Sequence, residues 1–161
     1  MQSWTEKLDN PTLSVIPHDY LRPFQEPFTQ QGSYSVAIPQ LDVPAHFPNK
    51  YVVGLSVWAS IVFRTTGDDD IVLYIADNKV LRFTIQPSWT FQQLYDVVNK
   101  ELQSLPPSDG VNFDSLSETI QKNQDLEKAP QLFRLAFLKD DHDFNLEHFK
   151  HHRVDFALNL N

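Results

Sequence analysis

Cysteine is absent from the 161 residues, so disulfides, thiolate metal sites and cysteine nucleophiles are all excluded. That composition suits a cytoplasmic protein. Positive charge is also scarce. Thirteen Lys and Arg face 21 Asp and Glu, for a net charge of −8, and the basic residues never form a stripe. A nucleic-acid surface needs such a stripe to neutralise phosphates, so no nucleic-acid partner is expected. Only four glycines occur, at 32, 54, 67 and 110, too scattered for a phosphate-cradling loop. Nothing in MQSWTEKLDN follows the basic-then-apolar order of a secretory signal. The longest uncharged apolar run, Tyr51 to Phe63, falls short of the about 20 residues that span a bilayer, so no membrane partner is expected either.

What is present is a core. Hydrophobic residues make up 41% of the chain and aromatics 12%, enough for one folded domain of ordinary size. The stretch Asn49 to Ala76 organises the rest: NKYVVGLSVWASIVFRTTGDDDIVLYIA. It predicts a long buried helix capped by Asn49 and closed by Gly67, then an acidic turn. Ser56, Ser60 and Arg64 form its one polar ridge, so most of its surface is expected to meet protein. Ile71 to Ala76 does not alternate and predicts a strand buried on both faces. Elements this apolar need a sheet and a further layer to cover them.

Around this centre, Ser3 to Leu8 predicts a short helix with Ser3 as cap and Glu6 three residues on. Residues 10–32 carry prolines at 11, 17, 23 and 27 among apolar residues from Leu13 to Phe28. They read as an extended arm laid across a surface, either a docking strip or a cover for this domain's own core. Ser33 to Ile38 alternates as a strand, and Pro39 to Pro48 is a loop. Asp77-Asn78-Lys79 predicts a hairpin turn into a return strand, Val80 to Ile85. Thr90 with Gln93 predicts a capping box, with Trp89 and Leu94 as its hydrophobic staple. The helix that follows carries Phe91, Leu94, Tyr95, Val98, Leu102 and Leu105 as one stripe, and Pro106-Pro107 ends it. Ser115 and Glu118 start a shorter helix to about Asn123. Leu132 to Leu138 and Val154 to Leu160 read as strands, with Asn145 to His152 a helix or loop between them. The division expected is an arm over 1–32 and a domain over 33–161, cut from a longer multidomain chain.

Each candidate site has a plainer account beside it. His151-His152-Arg153-Val154-Asp155 is similar to the HHxxxDG motif of condensation-type acyltransferases. Two residues instead of three separate His152 from Asp155, however, and Phe156 replaces the glycine. A solvated strand entrance fits better. His148 and His152 are one helical turn apart, with Asp141, His142 and Asp143 nearby, but side chains this polar are ordinarily just hydrated. Asp68-Asp69-Asp70 lacks a calcium-loop pattern and reads as a solvated turn, offset in part by Arg64. Ser56 and Ser60 lack an activating partner and are expected to bond to the carbonyl four residues back. No catalytic, cofactor-binding or metal residue is therefore assigned.

The segments WTEKLDNPTLSVIPHDYLRPFQEP, NKYVVGLSVWASIVFRTTGDDDIVLYIADNKVLRFTIQP, QDLEKAPQLFRLAFL and FKHHRVDFALNL carry a family resemblance. Together they resemble the extreme N-terminal region of the fungal L-2-aminoadipate reductases. More remotely, HDYLRPFQEP and RTTGDDDIVLYIA are similar to the C-terminal half of nonribosomal-peptide condensation domains. The resemblance implies an α/β fold, a small mixed or antiparallel sheet flanked by helices, as half of a chloramphenicol-acetyltransferase-like architecture. It implies a parent enzyme of lysine biosynthesis that adenylates 2-aminoadipate with ATP and magnesium. The parent would load it on phosphopantetheine and reduce the thioester with NADPH to the semialdehyde. No carrier serine motif and no GxGxxG occurs in these residues, and the condensation histidine belongs to the half they do not resemble. The expectation is a noncatalytic module whose partner is the adenylation domain of the same polypeptide. The alternatives are an acyltransferase-type activity using His152, and a self-association module, since half of a two-lobed fold leaves a face uncovered.

Overall fold

Asn49 starts the central helix as expected, and the physical reason is visible at its first turn. Its side chain accepts from the backbone amides of Tyr51 and Val52, two donors that have no partner inside the helix. In this computed structural model, which describes residues 4–12, 14, 16, 43–75, 79–106, 135–138 and 156–159, helix α1 covers Trp4–Lys7 and helix α2 covers Lys50–Thr66. Strand β1 (Asp70–Ile75) pairs antiparallel with β2 (Lys79–Thr84). Helix α3 (Phe91–Gln103) follows, then β3 (Leu135–Leu138) and β4 (Phe156–Asn159). The sheet runs in the order β2-β1-β3-β4, with β1, β3 and β4 parallel to one another. It is a mixed sheet flanked by helices, an α/β arrangement. Among the described residues no helix is long and apolar enough to cross a membrane.

Gly67 closes α2 at φ 79, in the left-handed region that costs other residues steric strain, and its amide donates to the Phe63 carbonyl. The chain can then turn into β1 within three residues. Register sets which side chains share a face: Ile71 lies opposite Phe83 and Leu73 opposite Leu81. All four are buried, and they pack with Val52, Leu55, Ala59 and Val62 of α2. Leu94, Tyr95 and Val98 of α3 and Leu135 and Phe137 of β3 complete this core. A fully buried Val or Leu contributes about 1.5–3 kcal/mol, so this layer carries much of the fold's stability.

The opposite face of the hairpin is also covered, as the lack of alternation in β1 required. Val72, Tyr74 and Val80 are buried there, and Arg82 and Asp70 share that side by register. Trp4 and Leu8, at the start of the chain, are buried outside the α2–α3 cluster. Thr90 and Gln93 form both halves of the expected capping box, each backbone amide taking the other residue's side chain. Phe47 is half-buried in the loop ahead of α2, its ring 4.9 Å from Tyr95 and edge-on to Phe91 at 5.4 Å.

Two local expectations shift. Lys79 is already in β2, opposite Ile75, and both strands begin one residue earlier than read from the sequence; Asp77 and Asn78 of the expected turn lie outside the described residues. The outer side of α2 is not the Ser56–Ser60–Arg64 ridge alone. Ser56 is fully buried, while Val57 and Ile61 are each 43% exposed. A helix can bury a small serine whose hydroxyl is satisfied by its own backbone, as this one is. The Ser33–Ile38 strand, the Ser115–Asn123 helix and most of the arm lie outside the described residues.

Candidate functional site

The strongest polar cluster is built on the β1–β2 hairpin. Because Asp70 lies opposite Thr84, the diagonal neighbour on the same face is Arg82. The Arg82 Nε donates to Asp70 Oδ1 and Nη2 to Oδ2, each at 2.9 Å, a two-pronged pairing of planar groups. Its remaining donors go to the chain's start. Nη1 reaches the Lys7 carbonyl at 3.0 Å and the Asp9 carbonyl at 2.6 Å, and Nη2 reaches the Asn10 carbonyl at 3.0 Å. The Thr12 amide donates to Asp70 Oδ2 at 2.8 Å. Asn10 takes φ 46, a conformation asparagine tolerates, and this bends the segment around the guanidinium. Lys7 adds a second tie, its Nζ 2.7 Å from Glu101 Oε2 on α3.

Burial by itself would push the Asp70 carboxyl up. The Arg82 and Thr12 hydrogen bonds and the guanidinium charge outweigh it and hold the group below its ordinary value of 3.8. Chemically this is a clasp: a committed carboxylate and a guanidinium with its donors spent on carbonyls.

The three consecutive aspartates therefore divide their work. Asp70 is the clasp's acceptor, with Arg82 rather than Arg64 as its partner. The Asp69 carbonyl accepts from the Ile85 amide at 2.8 Å, and the Asp68 amide donates to Thr66 Oγ1. Among the described residues no three His, Asp or Glu side chains gather as a cation site. The Ser56 hydroxyl donates to the Val52 carbonyl at 2.7 Å and that of Ser60 to the Ser56 carbonyl at 2.9 Å, the back-bonding expected of them. His148, His151, His152, Arg153 and Asp155, with Asp141, His142 and Asp143, lie outside the described residues.

A second feature is a half-open groove of about 170 Å³ between the C-terminal half of α2 and the segment joining β2 to α3. Phe63, Ile85, Trp89, Phe91 and Leu94 contribute to its apolar lining, and Arg64 supplies its single charge. Sequence reasoning missed both features. The clasp had one signal, a lone arginine within the otherwise apolar VLRF, but its partner follows only from the hairpin register. The groove had none, because it depends on how α2 and α3 sit together.

No family model and no solved structure matches the chain. Among curated proteins it is 64% identical over 159 residues to "L-2-aminoadipate reductase" of Saccharomyces cerevisiae, covering 98% of the chain. It is 52% identical over 158 residues to "L-2-aminoadipate reductase large subunit" of Candida glabrata and 27% identical to the protein of that name from Eremothecium gossypii. In each case the chain spans 11% of the relative's length. The chain is thus related, over nearly all of its residues, to the L-2-aminoadipate reductases of fungi.

Proposed function

We propose that the chain is a noncatalytic, condensation-like module of an L-2-aminoadipate reductase, and that it works by packing against the adenylation domain of the same polypeptide. The observation that carries this reading is 64% identity over 98% of the chain to a protein of that name nine times its span, of which it matches 11%. The parent would activate 2-aminoadipate with ATP and magnesium, carry it on phosphopantetheine and reduce it with NADPH, in the lysine biosynthesis of the cytoplasm. None of those cofactors is assigned to these residues.

The local chemistry agrees with a supporting role. Asp70, Arg82, Lys7, Glu101, Ser56 and Ser60 each spend their polar atoms on a structural partner. The order of a buried helix, a Thr66-Gly67-Asp68-Asp69 stop and a buried strand is the order that the condensation-domain resemblance implies.

Deleting residues 1–161 from a full-length reductase, then measuring aminoadipate-dependent adenylation and soluble yield, tests the role. Loss of either is expected. If neither changes, the support role is wrong.

A further inference from the structure

Three large apolar side chains stay exposed among the described residues: Val57 and Ile61 at 43% each and Phe91 at 37%. Single exposed hydrophobics scattered over a surface need no explanation, but these are not scattered. Val57 and Ile61 are one helical turn apart on α2, and Ser60 and Arg64 stand beside them at three-residue spacing. Ser60 and Arg64 line the groove, and so does Phe91 on its far wall. The exposed pair on α2 therefore adjoins the groove across Ser60 and Arg64.

Arg64 is exposed and makes no ion pair with any described residue, although Asp68 follows it closely in sequence. A guanidinium on an apolar wall is a site for a carboxylate, which it can engage through two parallel hydrogen bonds. Proteins related to this chain continue far beyond it, the match being 11% of their length. A tethered segment binds intramolecularly, at an effective concentration set by its linker, so a shallow groove can hold it without high intrinsic affinity.

We propose that the Val57–Ile61 face of α2 and the adjoining groove dock a segment of the longer reductase polypeptide that presents apolar side chains and a carboxylate to Arg64. This rests on the module reading above and names its contact surface.

The test uses full-length reductase with p-benzoylphenylalanine in place of Ile61, irradiated and mapped by peptide mass spectrometry. The expected product is an intramolecular link to a peptide outside the stretch matched by residues 1–161. Adding Arg64→Glu should cut its yield severalfold. Links confined to residues 1–161, links to a second copy, or no link at all overturn the proposal. An unchanged yield with Arg64→Glu overturns the carboxylate contact. A docked module that proved dispensable in the deletion experiment would still form the link, so the two failures are distinguishable.

Discussion

Arg82 holds Asp70 through both carboxylate oxygens at 2.9 Å while its other donors close on the carbonyls of Lys7, Asp9 and Asn10. One side chain thus joins the hairpin to the first turn of the chain. Both partners are largely shielded, with side-chain exposures of 20% and 16%, so solvent screens the pair less than it would a surface ion pair. Removing Arg82 leaves a shielded carboxylate without its cation and the part-buried Lys7 carbonyl without that donor, while the exposed Asp9 and Asn10 carbonyls turn to water. Arg82→Ala is expected to cost about 2–4 kcal/mol, and Arg82→Lys somewhat less, since an ammonium cannot reproduce the fork. Urea titration gives the first number, and limited proteolysis near residues 4–12 shows where the loss falls. An unshifted midpoint with an intact N-terminal segment would remove the clasp from the account of stability.

Acid should open the same clasp. The folded carboxyl of Asp70 lies below its ordinary value of 3.8, so folding favours its charged form. A depressed pKa contributes stability that is fully present above the unfolded value and lost as pH falls through the folded one. Stability should therefore decline below about pH 4, and part of that decline should vanish in Asp70→Asn, which has no proton to gain there. Denaturant midpoints of both proteins across pH 2.5–6 check the sign. Parallel curves would mean that another carboxylate carries the acid response.

The fold was legible where local chemistry and periodicity agree. Asn49, Gly67, Thr90 and Gln93 marked helix ends correctly because caps act within four residues of their own position. The buried strand was legible because Ile71 to Ile75 carries no alternation, and the second layer it demanded is present. The clasp was not legible. Arg82 meets residues more than 70 positions away, and only the hairpin register decides whether it faces Asp70. The exposure of Val57 and Ile61 ran against their apolar character, since sequence cannot say which turn of a mostly apolar helix lacks a neighbour. The histidine candidates fall outside the described residues.

Gly67 offers a cleaner measurement. At φ 79 a Cβ meets nothing within 4 Å, so Gly67→Ala adds no clash and isolates the backbone cost. That cost is about 1–2 kcal/mol for a residue forced into the left-handed region. Asparagine tolerates this conformation better, and Gly67→Asn should recover part of the loss. Equal stability of all three proteins would show that the chain leaves α2 by a different turn.

Asn49 and Tyr95 allow the junction of α2 with α3 to be separated into parts. The Asn49 side chain caps α2, whereas its backbone amide donates to the Tyr95 hydroxyl at 3.3 Å. Asn49→Ala removes the cap but keeps the amide, for about 1 kcal/mol. Tyr95→Phe removes the hydroxyl but keeps the ring against Phe47, for about 0.5–1.5 kcal/mol. The two substitutions delete different bonds, but the residues touch at the Asn49 amide. A double-mutant cycle is therefore expected to show a coupling of about 0.5 kcal/mol or more. Additive costs would mean that the cap does not set the angle at which the amide meets Tyr95, and that ring packing positions α3 on the core without it.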